Sequence, residues 1–227
     1  MSLHRRFFAW ALLALAPLSL VPAQASATVF LSDLISANGT LTVGNLVFGN
    51  FAYQFTGDMP SDAGVTVTPY IDGAGDSGLQ FQAAFLDFLG GPGSDANIEF
   101  TVTETDPNSL ISGATLAGNP SVVGGPGVAE VVETFLPTDT NLSLSIFAIS
   151  PGTSKLVDSG LFGVAHPQVF VQKDILTFSA GPAGIPTLSY ITQNFHETHR
   201  GIPEPSSLVL VIAGLTTCLV VRRFRRN

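Results

Sequence analysis

Hydrophobic and polar residues alternate along short segments of the chain between residues 28 and 196. In one of them, Ile98, Phe100 and Val102 fall on one face of an extended chain, and the residues between them are polar. Successive side chains of a strand point to opposite faces of its sheet, so this pattern predicts half-buried β-strands. The pattern occurs in residues 51–55, 65–68, 98–103, 141–146, 169–178 and 187–191.

Glycine, proline, asparagine and aspartate separate these segments and predict tight turns. Residues 28–35 fit either an edge strand or a short helix. Roughly ten to twelve strands at this spacing indicate an all-β fold, with an antiparallel β-sandwich or jelly-roll-like body. The turn signals are Asp72-Gly73, residues 90–93, Asp106-Pro107, residues 124–127, Pro151-Gly152 and Gly181-Pro182.

Basic residues are concentrated at the two ends of the chain. Between residues 28 and 202 there are three basic residues and sixteen acidic ones. Phosphate backbones repel such a segment, which argues against nucleic acid as a partner. Cys218 is the only cysteine, so no disulfide can form within the chain, and zinc-finger and iron–sulfur sites lack ligands.

The N-terminus has the three parts of a secretory signal peptide. Arg5 and Arg6 form a positive start, and residues 7–21 form a predominantly apolar run. Small residues then provide two alternative sites for signal peptidase, which the sequence does not separate. Pro17 and Pro22 argue against a retained membrane helix. The cleavage region contains Ala23, Ala25 and Ala27.

Residues 196–199 contain two histidines and a glutamate, the residue types of many zinc sites. Zinc proteases place two histidines four residues apart on one helical face. Here His196 and His199 are three residues apart, and a strand would direct them to opposite sides. We therefore interpret the segment as a polar linker. Asp72 and Asp76 fit an acidic turn better than a calcium loop, so we predict no metal site and no cofactor.

The sequence shows no persuasive catalytic constellation. It has no Gly-x-Ser-x-Gly nucleophile motif, and its glycine-rich loops lack the lysine of a phosphate-binding loop. Our prediction is that the protein is not an enzyme. A secreted hydrolase is the alternative, because catalytic triads are set in space rather than in sequence. Threonine pairs on strands could line a face that binds glycan or ice: Thr40/Thr42, Thr66/Thr68, Thr101/Thr103 and Thr103/Thr105.

The C-terminus combines three features in order. Residues 203–205 read Pro-Glu-Pro, residues 206–221 are uncharged and mostly apolar, and a basic cluster follows. As a helix the apolar run is about 24 Å long, shorter than a bilayer core of about 30 Å. The basic cluster still favours a transmembrane helix, because arginine stems reach the interface and positive flanks stay cytoplasmic. The residues that would set this topology are Arg222, Arg223, Arg225 and Arg226.

These C-terminal features resemble the PEP-CTERM sorting domain of exported proteins of Gram-negative bacteria, a tail also known as an ice-binding protein C-terminal domain. The resemblance implies that an exosortase-type membrane protease recognises Pro203, Glu204 and Pro205 and removes the tail. These three residues would be acted upon rather than catalytic. The resemblance also implies transient anchoring in the inner membrane, followed by transfer to the cell surface or extracellular matrix. Such proteins often accompany exopolysaccharide and biofilm production.

Residues 43–51, 61–69 and 173–178 resemble, more weakly, the β-rich region of such proteins. The predicted function is a structural or adhesive role in an exopolysaccharide or biofilm layer. The alternatives are a glycan- or ice-binding module and, less favoured, a secreted hydrolase. The sequence thus predicts a signal peptide (1–27), a β-rich extracytoplasmic domain (28–196), a linker (197–202) and a sorting signal (203–227) with a transmembrane helix (206–221) and a basic tail (222–227).

Overall fold

The computed structural model describes residues 27–88, 92–181 and 183–199. Within these residues fourteen strands form two antiparallel sheets of seven strands each. The first, sheet A, contains in spatial order β1 (Val29–Phe30), β4 (Thr66–Ile71), β5 (Ser77–Leu86), β14 (Ile185–His199), β7 (Ser109–Gly118) and β12 (Val157–His166), with β8 (Ser121–Val123) also paired to β14.

The second sheet, sheet B, packs against sheet A through the hydrophobic core. Its strands in spatial order are β11 (Ser154–Lys155), β10 (Ser143–Ser150), β9 (Gly127–Leu136), β13 (Gln168–Ser179), β6 (Ser94–Glu104), β3 (Leu46–Thr56) and β2 (Leu41–Val43). The predicted antiparallel sandwich-like body is therefore confirmed. The described residues also contain one α-helix, α1 (Leu31–Ser36), and two short 3₁₀ turns, Asp62–Gly64 and Thr138–Thr140.

Phenylalanine side chains from both sheets meet in the middle of the core. The Phe100 ring in sheet B lies 5.7 Å from the Phe81 ring in sheet A, and the Phe48 ring lies 5.9 Å from that of Phe195, measured between centroids. All four side chains are fully buried. Burial of each contributes about 1.5–3 kcal/mol, so this cluster is a main reason why the two sheets stay together.

The alternation in residues 98–103 is confirmed by the orientation of β6. Ile98, Phe100 and Val102 are buried, and the polar residues between them are partly exposed. The other five alternating segments also lie within strands, except that Val65 precedes β4 by one residue and that Asn141 and Leu142 precede β10. Both alternatives for residues 28–35 occur together, because β1 leads directly into α1.

The two ends of the chain lie largely outside the described residues. These undescribed parts include residues 1–26 of the predicted signal peptide and the whole predicted sorting signal with its transmembrane helix. Among the residues that are described, no helix has the length and apolar character needed to span a membrane. β14 continues to His199, so Glu197, Thr198 and His199 form the end of a strand rather than the start of a linker.

Candidate functional site

The outer face of sheet A, called the A face below, carries a continuous arrangement of mostly uncharged polar side chains on strands β4, β5, β14 and β7. Residues paired across antiparallel strands point to the same side, so the strand register defines its rows. One row joins Thr66, Gln82 and Tyr190, and the next joins Thr68, Gln80 and Thr192. The third row contains Tyr70, Gly78, Asn194 and Thr115. Asp76 and His196, which contact each other, lie next to it.

Two tyrosines stand on this surface. Tyr70 is 37% exposed and Tyr190 is 36% exposed. Further along central strand β14 from Tyr190, Thr192 is only 7% exposed and Asn194 only 3% exposed. The centre of the A face is therefore shielded by its neighbours, while the tyrosines and Gln82 remain accessible to a ligand.

Side chains of the A face hold one another in place. The Gln82 amide donates to the Gln80 carbonyl oxygen at 2.8 Å, and the Asn194 amide donates to the Asp76 backbone carbonyl at 2.7 Å. The hydroxyls of Thr28 and Thr68 are 2.9 Å apart. These contacts reduce the side-chain entropy that a bound ligand would otherwise have to remove.

Asp76, His196 and Thr115 form a linear hydrogen-bond network at one end of the A face. Nδ1 of His196 lies 2.7 Å from an Asp76 carboxylate oxygen, and Nε2 lies 3.1 Å from the Thr115 hydroxyl. When the imidazole is neutral and its Nδ1 donates to the Asp76 carboxylate, Nε2 accepts from the Thr115 hydroxyl. This order of carboxylate, imidazole and hydroxyl is also the order of a hydrolytic triad.

The surroundings of Thr115 do not support such catalysis. A hydrolytic triad needs backbone or side-chain donors directed at the developing oxyanion. Thr115 lies in the interior of sheet A, paired with Ser159 of β12 on one side and with Asn194 of β14 on the other. Antiparallel pairing engages the backbone N–H groups of such a strand in the ladder. We therefore interpret the network as positioning His196 on the A face.

The outer face of sheet B differs in charge. Its four acidic side chains lie on neighbouring strands: Asp95, Glu99, Glu130 and Asp174. Partial burial and the nearby carboxylates of Asp95 and Glu130 raise the pKa of Asp174. This face would repel an anionic polymer. The described rows of the A face contain one acidic residue, Asp76, which is paired with His196.

The residues proposed from the sequence occupy different places. Thr66 and Thr68 lie on the A face, but Thr101 and Thr103 lie on the outer side of sheet B. His196 and His199 have separate partners, since His199 Nδ1 lies 3.0 Å from the Ser109 hydroxyl. Within the described residues no group of three or more His, Cys, Asp or Glu side chains could hold a metal ion.

The predicted acidic turn at Asp72 is present. Its carboxylate accepts hydrogen bonds from the backbone N–H groups of Ala74 and Asp76, at 2.8 and 2.9 Å. Of the other predicted sites, Ala23, Ala25, the Pro-Glu-Pro tripeptide and the four C-terminal arginines lie outside the described residues. The tyrosines and glutamines of the A face were not identified from the sequence. Tyr70 is next to the Thr66–Thr68 pattern and follows the same alternation.

Comparisons with known proteins give remote structural similarities. No protein-family model and no curated protein matches this chain. Three similar structures each match 65% of this chain. TmCBM61 in complex with beta-1,4-galactotriose is 9% identical, with a TM-score of 0.32 and 88% of its own chain covered. The enzymatically active domain of bacteriophage CBA120 tailspike protein 4 is 17% identical, with a TM-score of 0.24 and 19% of its chain covered, and Trichoderma harzianum endoglucanase 3 from family GH12 is 11% identical, with a TM-score of 0.21 and 98% of its chain covered. At these scores the similarities transfer no ligand or activity to this chain.

Proposed function

We propose that this protein is an exported, non-catalytic β-sandwich that binds a neutral polysaccharide along the A face, as an adhesive component of an exopolysaccharide or biofilm layer. The observation that carries the proposal is the uncharged polar surface with two half-exposed tyrosines, Tyr70 and Tyr190. Amides and hydroxyls can exchange hydrogen bonds with sugar hydroxyls, and tyrosine rings can pack on the apolar faces of sugar rings.

The positions of the two tyrosines fit an extended chain better than a single sugar. They lie two strands apart and four residues apart along the strands. Strand geometry converts this offset to about 10 Å across the sheet and about 13 Å along it, a diagonal of about 16 Å. Gln80 lies in the middle row of that diagonal, where its amide can contact the polymer between the two rings.

Substitution of either tyrosine tests the binding face. We expect Tyr70→Ala and Tyr190→Ala each to weaken binding to a neutral polysaccharide at least about tenfold, because each removes a stacking platform. The matched control is Phe178→Ala, which removes an aromatic ring of similar exposure, 38%, from the outer face of sheet B. Affinity electrophoresis or calorimetry with neutral and acidic polysaccharides measures the effect. Equal losses in all three variants would contradict the assignment.

Threonine substitutions separate glycan binding from ice binding. A glycan site depends mainly on the tyrosines, whereas an ice site would depend on Thr66 and Thr68 and would show thermal hysteresis. We expect Thr66→Val with Thr68→Val to reduce polysaccharide affinity less than Tyr70→Ala does, and we expect no hysteresis from the parent protein. Hysteresis abolished by the threonine changes would favour the ice-binding alternative.

We also propose that the protein is sorted by an exosortase-type system, on the basis of its export signal and the PEP-CTERM resemblance of residues 203–227. Deletion of residues 203–205 is then expected to leave the unprocessed protein in the inner membrane. Tracking an internally tagged protein, in its host and in a strain without the sorting protease, measures its size and location. An unchanged size and location in the deletion variant would disprove the sorting proposal.

A further inference from the structure

Three polar side chains meet inside the core, between the two sheets. Lys173 of β13 and Glu133 of β9 are paired neighbours in sheet B, and Gln193 reaches them from β14 in sheet A. The Lys173 amine donates to a Glu133 carboxyl oxygen at 2.5 Å and to Oε1 of Gln193 at 2.9 Å. All three residues are fully buried.

The surroundings favour the neutral forms of the two ionisable groups. Burial lowers the pKa of the Lys173 amine and raises the pKa of the Glu133 carboxyl group. The attraction between the two groups acts in the opposite direction on both pKa values, but burial is the larger cause. Lys173 is paired with Ile98 on its other side, and Val131 and Ile175 on the same inner face are fully buried. An amine held neutral by desolvation is a nucleophile.

We propose that Lys173 and Gln193 join covalently after folding, through an amide bond between Nζ of Lys173 and Cδ of Gln193, with Glu133 as the proton-transfer group. The hydrogen bond from Nζ to Oε1 holds the amine beside the amide carbon in a site that is buried from solvent. Such fixed proximity is a large part of what an otherwise slow reaction between an amine and an amide requires. The link is independent of what the A face binds.

Each step of the reaction balances. The lone pair of the neutral Lys173 amine attacks Cδ of Gln193, and the Glu133 carboxyl group protonates Oε1 as the new C–N bond forms. The resulting Glu133 carboxylate takes a proton from Nζ and delivers it to the departing nitrogen of Gln193. Collapse of the intermediate breaks the original C–N bond and releases ammonia, and the proton on Oε1 returns to the Glu133 carboxylate as the carbonyl reforms. No oxidant or cofactor is consumed, and Glu133 returns to its starting state.

The arrangement points to Gln193 rather than Glu133 as the residue that joins Lys173. One Glu133 oxygen accepts from the lysine, while the other, Oε1, is buried without a hydrogen-bond partner among the described residues. A carboxyl group with one free oxygen can receive and return protons. If Glu133 were itself consumed, no other described ionisable side chain contacts Lys173 and Gln193 to move the proton.

The positions of the basic residues make a peptide map decisive. Between residues 28 and 202 trypsin can cleave only after Lys155, Lys173 and Arg200. An unmodified protein yields peptides 156–173 and 174–200. In the linked protein Lys173 has no free amine, so digestion of the denatured full-length protein should yield one peptide, 156–200, lighter by one ammonia molecule than its sequence predicts.

Variants and the alternative link complete the test. Glu133→Gln and Gln193→Leu are expected to restore cleavage after Lys173, and cleavage after Lys155 serves as the internal control in every sample. Digestion of the parent protein to peptides 156–173 and 174–200 would overturn the proposal even if no variant folds. A link from Lys173 to the peptide that contains Glu133, with loss of water, would overturn the choice of Gln193.

Discussion

Replacing Glu133 by leucine is expected to destabilise the fold by at least about 3 kcal/mol, because it leaves the buried Lys173 amine without its carboxyl partner and also prevents the proposed cross-link. Lys173→Met should have a cost of the same order, since it leaves the carboxyl group buried alone. Denaturant unfolding, with the transition midpoint and slope compared between variants, measures these differences.

The double variant tests the physical reason. Glu133→Leu combined with Lys173→Met removes both polar groups, so we expect it to be more stable than either single variant by about 1–3 kcal/mol. All three variants lack the proposed cross-link, so its absence cancels in this comparison. The partly exposed pair Lys155–Asp158, at 2.7 Å, is the control. Lys155→Met should change the free energy of unfolding by less than about 1 kcal/mol. If the losses in free energy of unfolding of the two single core variants simply add in the double variant, the explanation is wrong.

Gly78→Ala is expected to be similarly severe, with a cost of about 3 kcal/mol or more. Gly78 lies in β5, and a Cβ atom there would overlap the backbone carbonyl of Gln193 in the neighbouring β14. The added methyl group would therefore separate two central strands of sheet A. It would also displace Gln193 from Lys173 and disturb the row that contains Tyr70 and Asn194.

Gly73→Ala is the matched control for this substitution. A Cβ atom at Gly73 would meet no atom within 4 Å, so only a small change in stability is expected. Thermal unfolding of the two variants distinguishes a steric effect from a general effect of alanine. If Gly78→Ala unfolds at the same temperature as Gly73→Ala, β5 and β14 are not packed as closely as described.

Lys173 shows how much the strand pattern could reveal about the interior. In the segment 169–178, alternation places Val169, Val171, Lys173 and Ile175 on one face, and the structure confirms that this face is buried. The presence of a lysine on an apolar face was therefore readable from the sequence. Its partners were not, because Glu133 and Gln193 come from strands distant in sequence and meet it only through the pairing of β9 with β13 and the packing of the sheets.

Tyr190 shows what strict alternation cannot predict. A period of two would place it on the same side as Leu188, which is buried. The register of β14 against β5 shifts between Leu188 and Tyr190, and the Asn119 side chain accepts hydrogen bonds from the backbone N–H groups of Ser189 and Tyr190. This β-bulge re-aims the tyrosine to the A face, as bulges commonly do.

The sequence by itself determined the class of the fold and the inner face of its strands, because alternation and turn residues are local properties of the chain. It also supplied the motifs behind the export and sorting proposals, which are contiguous segments. Only the tertiary structure decided which polar residues share a surface and which meet in the core. The A face and the Lys173–Glu133–Gln193 cluster depend on the order and register of strands far apart in sequence, and no local pattern specifies that pairing.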